Sequence, residues 1–300
     1  MTDTASETIS DDAAHAPSHE PSHEPSRFAA TLRLLLRSPT FVVGALILLA
    51  WIVCAIAGAW IAPYDAYASD PLSSLLPPDH THWCGTDQLG RDICSRVIVG
   101  ARDILTIAPL ATLTGTLAGA ALGLLTGYLE GWGGTLVARA LDAVLALPLV
   151  IVALLVLAAV GASNLAVVLV IGITFAPLVA RTVRAAVLAE RHLDYVAAAR
   201  LRGERALYVM FAEILPNVWP PIVVEATVRL GYAIFAVATL SFLGFGIQPP
   251  SADWGLALAE SYALLAGGAW WTVAFDALAI ASLVVAANLI ADSLREVLET

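Results

Sequence analysis

Side chains able to do chemistry are few in this sequence, and their spacing supports no catalytic set. All fifteen basic residues are arginine. Without lysine there is no Walker-type phosphate loop and no Schiff-base amine, so ATP-driven work would have to be powered from another chain. Cys54, Cys84 and Cys94 show no zinc spacing. His15, His19 and His23 fall in a polar tail with nothing to fix their geometry, so no metal or cofactor of its own is expected. Two groups of residues remain. Asp142, Glu225, Arg229 and Asp276 lie in or at the edge of long apolar runs, where an ionisable side chain is a functional candidate by default. One short segment, Asp194 to Asn217, gathers Asp194, Arg200, Arg202, Glu204, Arg205 and Glu213 around the run Ala197-Ala198-Ala199 and Gly203.

These residues sit in a chain made for lipid. Hydrophobic residues make up 59% against 13% charged, with a mean hydropathy of +0.81. A water-soluble domain of this length needs far more polar surface. About 20 apolar residues cross the hydrocarbon as a helix. Six stretches qualify: about 41–62, 104–129, 136–160, 165–187, 218–246 and 270–291. Lipid offers the backbone no hydrogen-bond partner, so the expected fold is all-α, a polytopic membrane protein with six transmembrane helices.

Orientation follows from the arginines. With the N-terminus inside, the inner segments hold eleven, and the outer ones hold only Arg91, Arg96 and Arg102. Both termini are therefore expected in the cytoplasm. The polar regions 63–103 and 248–267 then face outward, carrying Trp83, Trp254, Trp270 and Trp271 as interface residues. A disulfide is chemically allowed between Cys84 and Cys94 there, although free packed thiols are the expectation. The first 26 residues hold six acids and no arginine, and read as a disordered acidic tail that is retained rather than cleaved. The resulting division is a tail over 1–36, a first helix with its outer segment over 37–103, and a core over 104–296.

Within the charged segment, Asp194 is placed to cap a helix beginning at Tyr195. The three alanines give that helix a small, smooth face suited to a protein groove, and Gly203 suits a left-handed stop. A second helical run, Glu204 to Leu215, ends at Pro216. A short helix, a turn and another helix thus stand on the inner side. An amphipathic element lying on the lipid surface is the competing reading.

The spacing Ala197-Ala198-Ala199, Gly203, Leu215-Pro216 resembles the EAA signature of ABC importer permeases, with Ala197 standing where that family often has Glu. Three further stretches, GTDQLGRDICSRVIVGAR (85–102), GYLEGWGGTLVARALDAVLALP (127–148) and LSFLGFGIQPPSADWG (240–255), resemble the C-type permease subunits of dipeptide and oligopeptide importers. The resemblance covers about residues 37–296. It implies a type I importer fold in a bacterial inner membrane, paired with a homologous B-type permease. It also implies two ABC ATPase subunits, which bind ATP and magnesium, and an extracytoplasmic peptide-binding protein. The ATPases would receive the coupling helices at about 194–215, namely Asp194, Tyr195, Ala197, Ala198, Ala199, Arg200, Arg202, Gly203, Arg205, Leu215 and Pro216. The chain itself would be non-catalytic and bind no nucleic acid. Relatives of this kind also serve nickel, glutathione and other small solutes, so the substrate stays open.

The intramembrane charges have plain readings as well. Glu225 and Arg229 are four apart with the acid first, which suits mutual neutralisation on a helix. Asp142 lies near Arg139 in the same way. Asp276 has no local partner, and either lines a polar path or faces a neighbouring helix. The alternating charges Asp87, Arg91, Asp92, Arg96, Arg102 and Asp103 either dock a partner or order the outer loop. Gly115, Gly119, Gly123 and Gly127 repeat every four residues, the pattern of close helix crossing, with a smooth path wall as the alternative. A self-sufficient transporter driven by an ion gradient would explain the intramembrane acids. It would also call for internal repeats or interrupted helices, and the sequence shows neither.

Overall fold

A computed structural model describes residues 34–129 and 131–298. The tail expected over 1–36, with its histidines, lies almost wholly outside them. The described residues are nearly all helical: α1 (Pro39–Ile61), α2 (Ile93–Tyr128), α3 (Trp132–Leu145), α4 (Leu149–Val160), α5 (Asn164–Glu190), α6 (Asp194–Leu201), α7 (Trp219–Phe242), α8 (Trp254–Ser261) and α9 (Trp271–Leu298). Five of these, α1, α2, α5, α7 and α9, are long and apolar enough to span a bilayer. The sixth expected span is the pair α3 and α4, bent by 89° at their junction. Pro148 sits at that break as the N-cap of α4, where its missing N–H and ring end the preceding helix. A continuous helix over 136–160 is therefore corrected to two short ones.

α2 is also longer than hydropathy suggests. It starts at Ile93 rather than 104, because Asp92 accepts from the Ser95 N–H at 2.8 Å and caps it. Arg96, Arg102 and Asp103 thus ride on a transmembrane helix and not in a loop.

The glycines of α2 decide how the core packs. An added Cβ would stand 2.5 Å from Val179 Cβ at Gly119, 2.6 Å from Val183 Cβ at Gly123 and 2.8 Å from Val187 Cβ at Gly127. At Gly115 it would meet the Gly172 carbonyl at 2.9 Å. Each step of four on α2 matches a step of four on α5, so the two helices run parallel with their backbones in close contact. The glycine stripe is an intrachain packing face. By contrast α1 runs antiparallel to α9, with Thr40 Oγ1 2.9 Å from Ser293 Oγ and Trp51 Nε1 donating to Ser282 Oγ at 2.8 Å. The start of α1 and the end of α9 therefore share one side of the molecule.

At the other side the two polar segments, 63–103 and 248–267, are stitched together. Arg91 donates to Asp87 at 2.6 Å and to Glu260 of α8 at 2.9 Å, joining the first segment to the second. Arg96, 3% exposed, reaches the carbonyls of Ala66 and Ser251 at 3.4 and 3.3 Å. Ser251 in turn donates to Asp103 at 2.5 Å. These charges order the loops. Cys84 and Cys94 form a disulfide, contrary to the expectation of free thiols, because the loop folds back and sets their Cα atoms 5.2 Å apart. Trp254 is fully buried, donating to the Val97 carbonyl and meeting Trp51 edge-on at 4.7 Å, so it is core and not an interface residue.

Asp253, also fully buried, caps α8 through Leu256 N–H at 2.9 Å. Burial, with the nearby Asp103 charge adding to it, pushes its carboxyl up to about 6 from the ordinary 3.8. Since the folded state holds this proton more tightly than the unfolded chain, the contribution is full below 3.8 and is lost as pH rises through about 6. Melting temperature should fall across that window, and Asp253→Asn, which can still cap, should flatten the fall. A second expectation concerns the glycine face. Gly123→Ala should cost about 1–3 kcal/mol through overpacking, read as lower resistance to denaturant in micelles. Gly133→Ala, where an added Cβ meets nothing within 4 Å, should be neutral.

Candidate functional site

α6 is amphipathic on a small scale. Val196 and Ala199 are fully buried, packed with Leu124 of α2, Val187 of α5, and Val209, Ile214 and Val218. Asp194, Ala197, Ala198 and Leu201 form the opposite, exposed face at helical spacing, with Leu201 90% exposed. Three consecutive residues span about 200° of a helix. Ala197, Ala198 and Ala199 therefore cannot share one face, and the expected smooth alanine surface is corrected to Ala197 and Ala198 outside with Ala199 inside. Asp194 is not the cap either. The N-cap is Leu193, without a side-chain bond, and Asp194 falls in the first turn, where its charge still suits the helix dipole.

Gly203 ends the helix in the left-handed conformation, φ +76°. Its N–H meets the Arg200 carbonyl at 3.0 Å and the Glu204 N–H meets Ala199 at 3.3 Å, the paired bonds of a Schellman stop. The second run begins later and winds more widely than expected. It turns at Ala206–Tyr208 and continues as a π-helix over Val209–Ile214, with Leu215 N–H on the Met210 carbonyl at 2.9 Å. This winding buries Val209, Met210 and Ile214 and leaves Leu207, Tyr208 and Phe211 exposed. Leu215 and Pro216 form the turn into α7.

The knuckle is tied to the ends of α2 and α5 through two partners that sequence reading did not single out, Tyr128 and Glu190. Tyr195 donates to Glu190 at 2.6 Å. Burial, reinforced by the Glu190 carboxylate, pushes the phenol up to about 12, so it keeps its proton at neutral pH. The Arg200 guanidinium lies 5.0 Å over the Tyr128 ring. Arg191 donates to the Gly127 carbonyl at 3.0 Å. The available signal for Tyr128 and Glu190 was their place in the last turn of two apolar spans. Within the knuckle Arg202 pairs with Glu213 at 3.0 Å, while Arg205 is exposed.

The intramembrane candidates separate. Arg229 donates to Glu225 at 2.7 Å and lies 5.3 Å over Tyr232, so these two neutralise each other as expected. Asp142 does not pair with Arg139 among the described residues. Both are exposed on α3, where neither needs the other to offset burial. Asp276 is buried on α9, 3% exposed. Its Oδ1 has no hydrogen-bond partner among the described residues. An apolar cleft of about 500 Å³ opens between α2 and α7, running from Pro109 to Phe211 and Leu215 of the knuckle. Neither Glu225 nor Arg229 lines it.

Comparison with known proteins accounts for this arrangement. Residues 119–300 match the family described as binding-protein-dependent transport system inner membrane component. Residues 26–78 match the N-terminal transmembrane domain of oligopeptide transport permease C. The chain is 38% identical over 262 residues to the di/tripeptide transport system permease protein DppC of Pseudomonas aeruginosa, covering 85% of this chain and 86% of the relative. It is 35% identical to the probable D,D-dipeptide permease DdpC of Escherichia coli K12, covering 87% and 88%. It is 39% identical to the glutathione permease GsiD of another Escherichia coli strain, covering 85% and 84%. A bundle of membrane-spanning helices, a charged helical knuckle between α5 and α7 and these matches agree: the chain belongs to the C-type permease subunits of dipeptide and oligopeptide ABC importers, multi-pass proteins of the inner membrane.

Proposed function

We propose that this chain forms half of an inward pathway for di- and oligopeptides and takes its power from two ATPase subunits that seat α6 and the turn after it. The observation that carries the reading is the mounting of α6. Its inner face is fully buried against α2 and α5, while Ala197, Ala198 and Leu201 stand free for a partner. A rigidly held helix with an unfilled apolar and charged outer face transmits a push from a neighbour into two spans at once. Exposed Leu207 and Tyr208 extend the surface beyond Gly203.

ATP and magnesium would be held by the partners, since this chain lacks the lysine such a site uses. The cleft between α2 and α7 suits a homologous B-type permease and, between the two subunits, the peptide path. An extracytoplasmic peptide-binding protein would deliver substrate to the stitched outer segments, with both termini in the cytoplasm. Relatives named for peptides and for glutathione support a small peptide-like solute as cargo.

The carrying experiment is cross-linking. Cysteine placed at Ala198 in a background lacking Cys54 should capture an ATPase subunit, and its failure to capture any nucleotide-hydrolysing protein would sink the reading. Gly203→Val should abolish ATP-driven peptide uptake with the spans still folded. The added Cβ meets nothing within 4 Å, so the damage comes from forcing a β-branched residue into the left-handed region. Uptake near the unsubstituted level would count against α6 as the coupling element.

A further inference from the structure

The cleft between α2 and α7 ends at the knuckle, and the residues there differ from those along its length. Among the described residues that line its 500 Å³, none is charged. Thr112 and Thr227 donate their hydroxyl protons to the carbonyls of Ala108 and Val223, so they add no free donor. Such a wall fixes no small solute by a strong bond, which suits passage better than retention. At the knuckle end α2 offers only the small Ala120 and Ala121. Against them stand two large rings, Phe211 and Trp219, 53% and 60% exposed.

Phe211 owes its place to the way the second limb winds. In an α-helix Ile214 shares a side with Met210, four before it, while Val209, five before it, stands about 140° away. The π-winding over Val209–Ile214, with the Leu215 N–H on the Met210 carbonyl, closes over five residues and draws Val209 back to that side. All three are buried. The turn thus holds a surplus residue, carried on the uncovered side where Phe211 and Ala212 are exposed. Wide turns of this kind recur at functional sites. We propose that Phe211 is the gate of the peptide path, its ring narrowing the knuckle end of the cleft and the π turn aiming it there. An apolar ring in an apolar passage stops solutes by breaking the file of water, so opening it severs no bond. Arg202, just past α6, pairs with Glu213 two residues beyond the ring, which gives a push on α6 a short route to it. The inference rests on the proposed reading of the cleft as half of that path.

The test uses the chain with its accompanying subunits, in liposomes loaded with a fluorescent dipeptide and kept free of ATP. Phe211→Ala should speed efflux about tenfold, as removal of an apolar constriction lowers the barrier. Phe211→Leu, which refills much of the gap, should leak far less. Leu278→Ala, an apolar truncation at a 65% exposed site on α9, should not leak, which separates a gate from general loosening of the bundle. Deleting Ala212 removes the surplus residue and should leak like Phe211→Ala. Efflux from Phe211→Ala equal to that of the unsubstituted complex overturns the gate, and a tight Ala212 deletion overturns the part given to the π turn. Phe211→Cys, in a background lacking Cys54, tells this failure from failure of the path reading. Reaction with a water-soluble maleimide, protected by dipeptide, is expected of a residue in the path. No reaction from either side means the cleft is packed against a partner, and the gate falls together with the path.

Discussion

The contact between the glycine face of α2 and the valine ridge of α5 is the constraint on which the rest depends. Because Gly119, Gly123 and Gly127 have no side chain, Val179, Val183 and Val187 press directly against the α2 backbone. Lipid tails are as apolar as leucine, so hydrophobicity alone gives helices in a bilayer little reason to pair. Close van der Waals contact does. The parallel pair brings the last turns of both helices to the same level. That common end is the platform on which α6 is built.

The platform is held by several weak ties rather than one strong bond. Val196 and Ala199 fill the gap over Leu124 and Val187, Tyr195 reaches Glu190, and Arg200 covers Tyr128. Each is modest alone, yet all connect α6 to the two best-packed spans. Under the proposed function this explains how a helix of eight residues can carry force. It has little stability of its own, so its orientation is set by what it stands on. The π-wound stretch that follows does the same for α7, burying Val209 and Ile214 in the same cluster.

The opposite end solves a different problem. The polar segments there bring several acids and few arginines into a small volume, and the structure distributes them by pairing. Asp87 takes Arg91, Asp92 takes His82 and caps α2, Asp103 takes Ser251, and Arg96 lies buried among carbonyls and carboxylates. A disulfide and a buried Trp254 close the assembly. The result is a cap that joins α1, α2, α8 and α9 and makes that end a single surface.

Legible in the residues alone were the solvent, the helical class, the number of apolar stretches, the expectation that the α2 glycines pack closely and the place of the knuckle. All of these follow from local composition and spacing, and the left-handed stop at Gly203 and the Glu225–Arg229 pair are equally local. The rest emerged only in the packed fold. A continuous third span became α3 and α4 because a proline break shows its angle only once the flanking helices have packed. Cys84 and Cys94 became a bridge because the loop's path, not its composition, sets their separation. Which alanines of α6 face inward, and that Tyr128 lies under Arg200, depended on residues more than 60 positions apart meeting at one level. That Asp276 is buried was decided in the same way, because which face of a helix is covered depends on its neighbours in space, and spacing along a chain does not encode them.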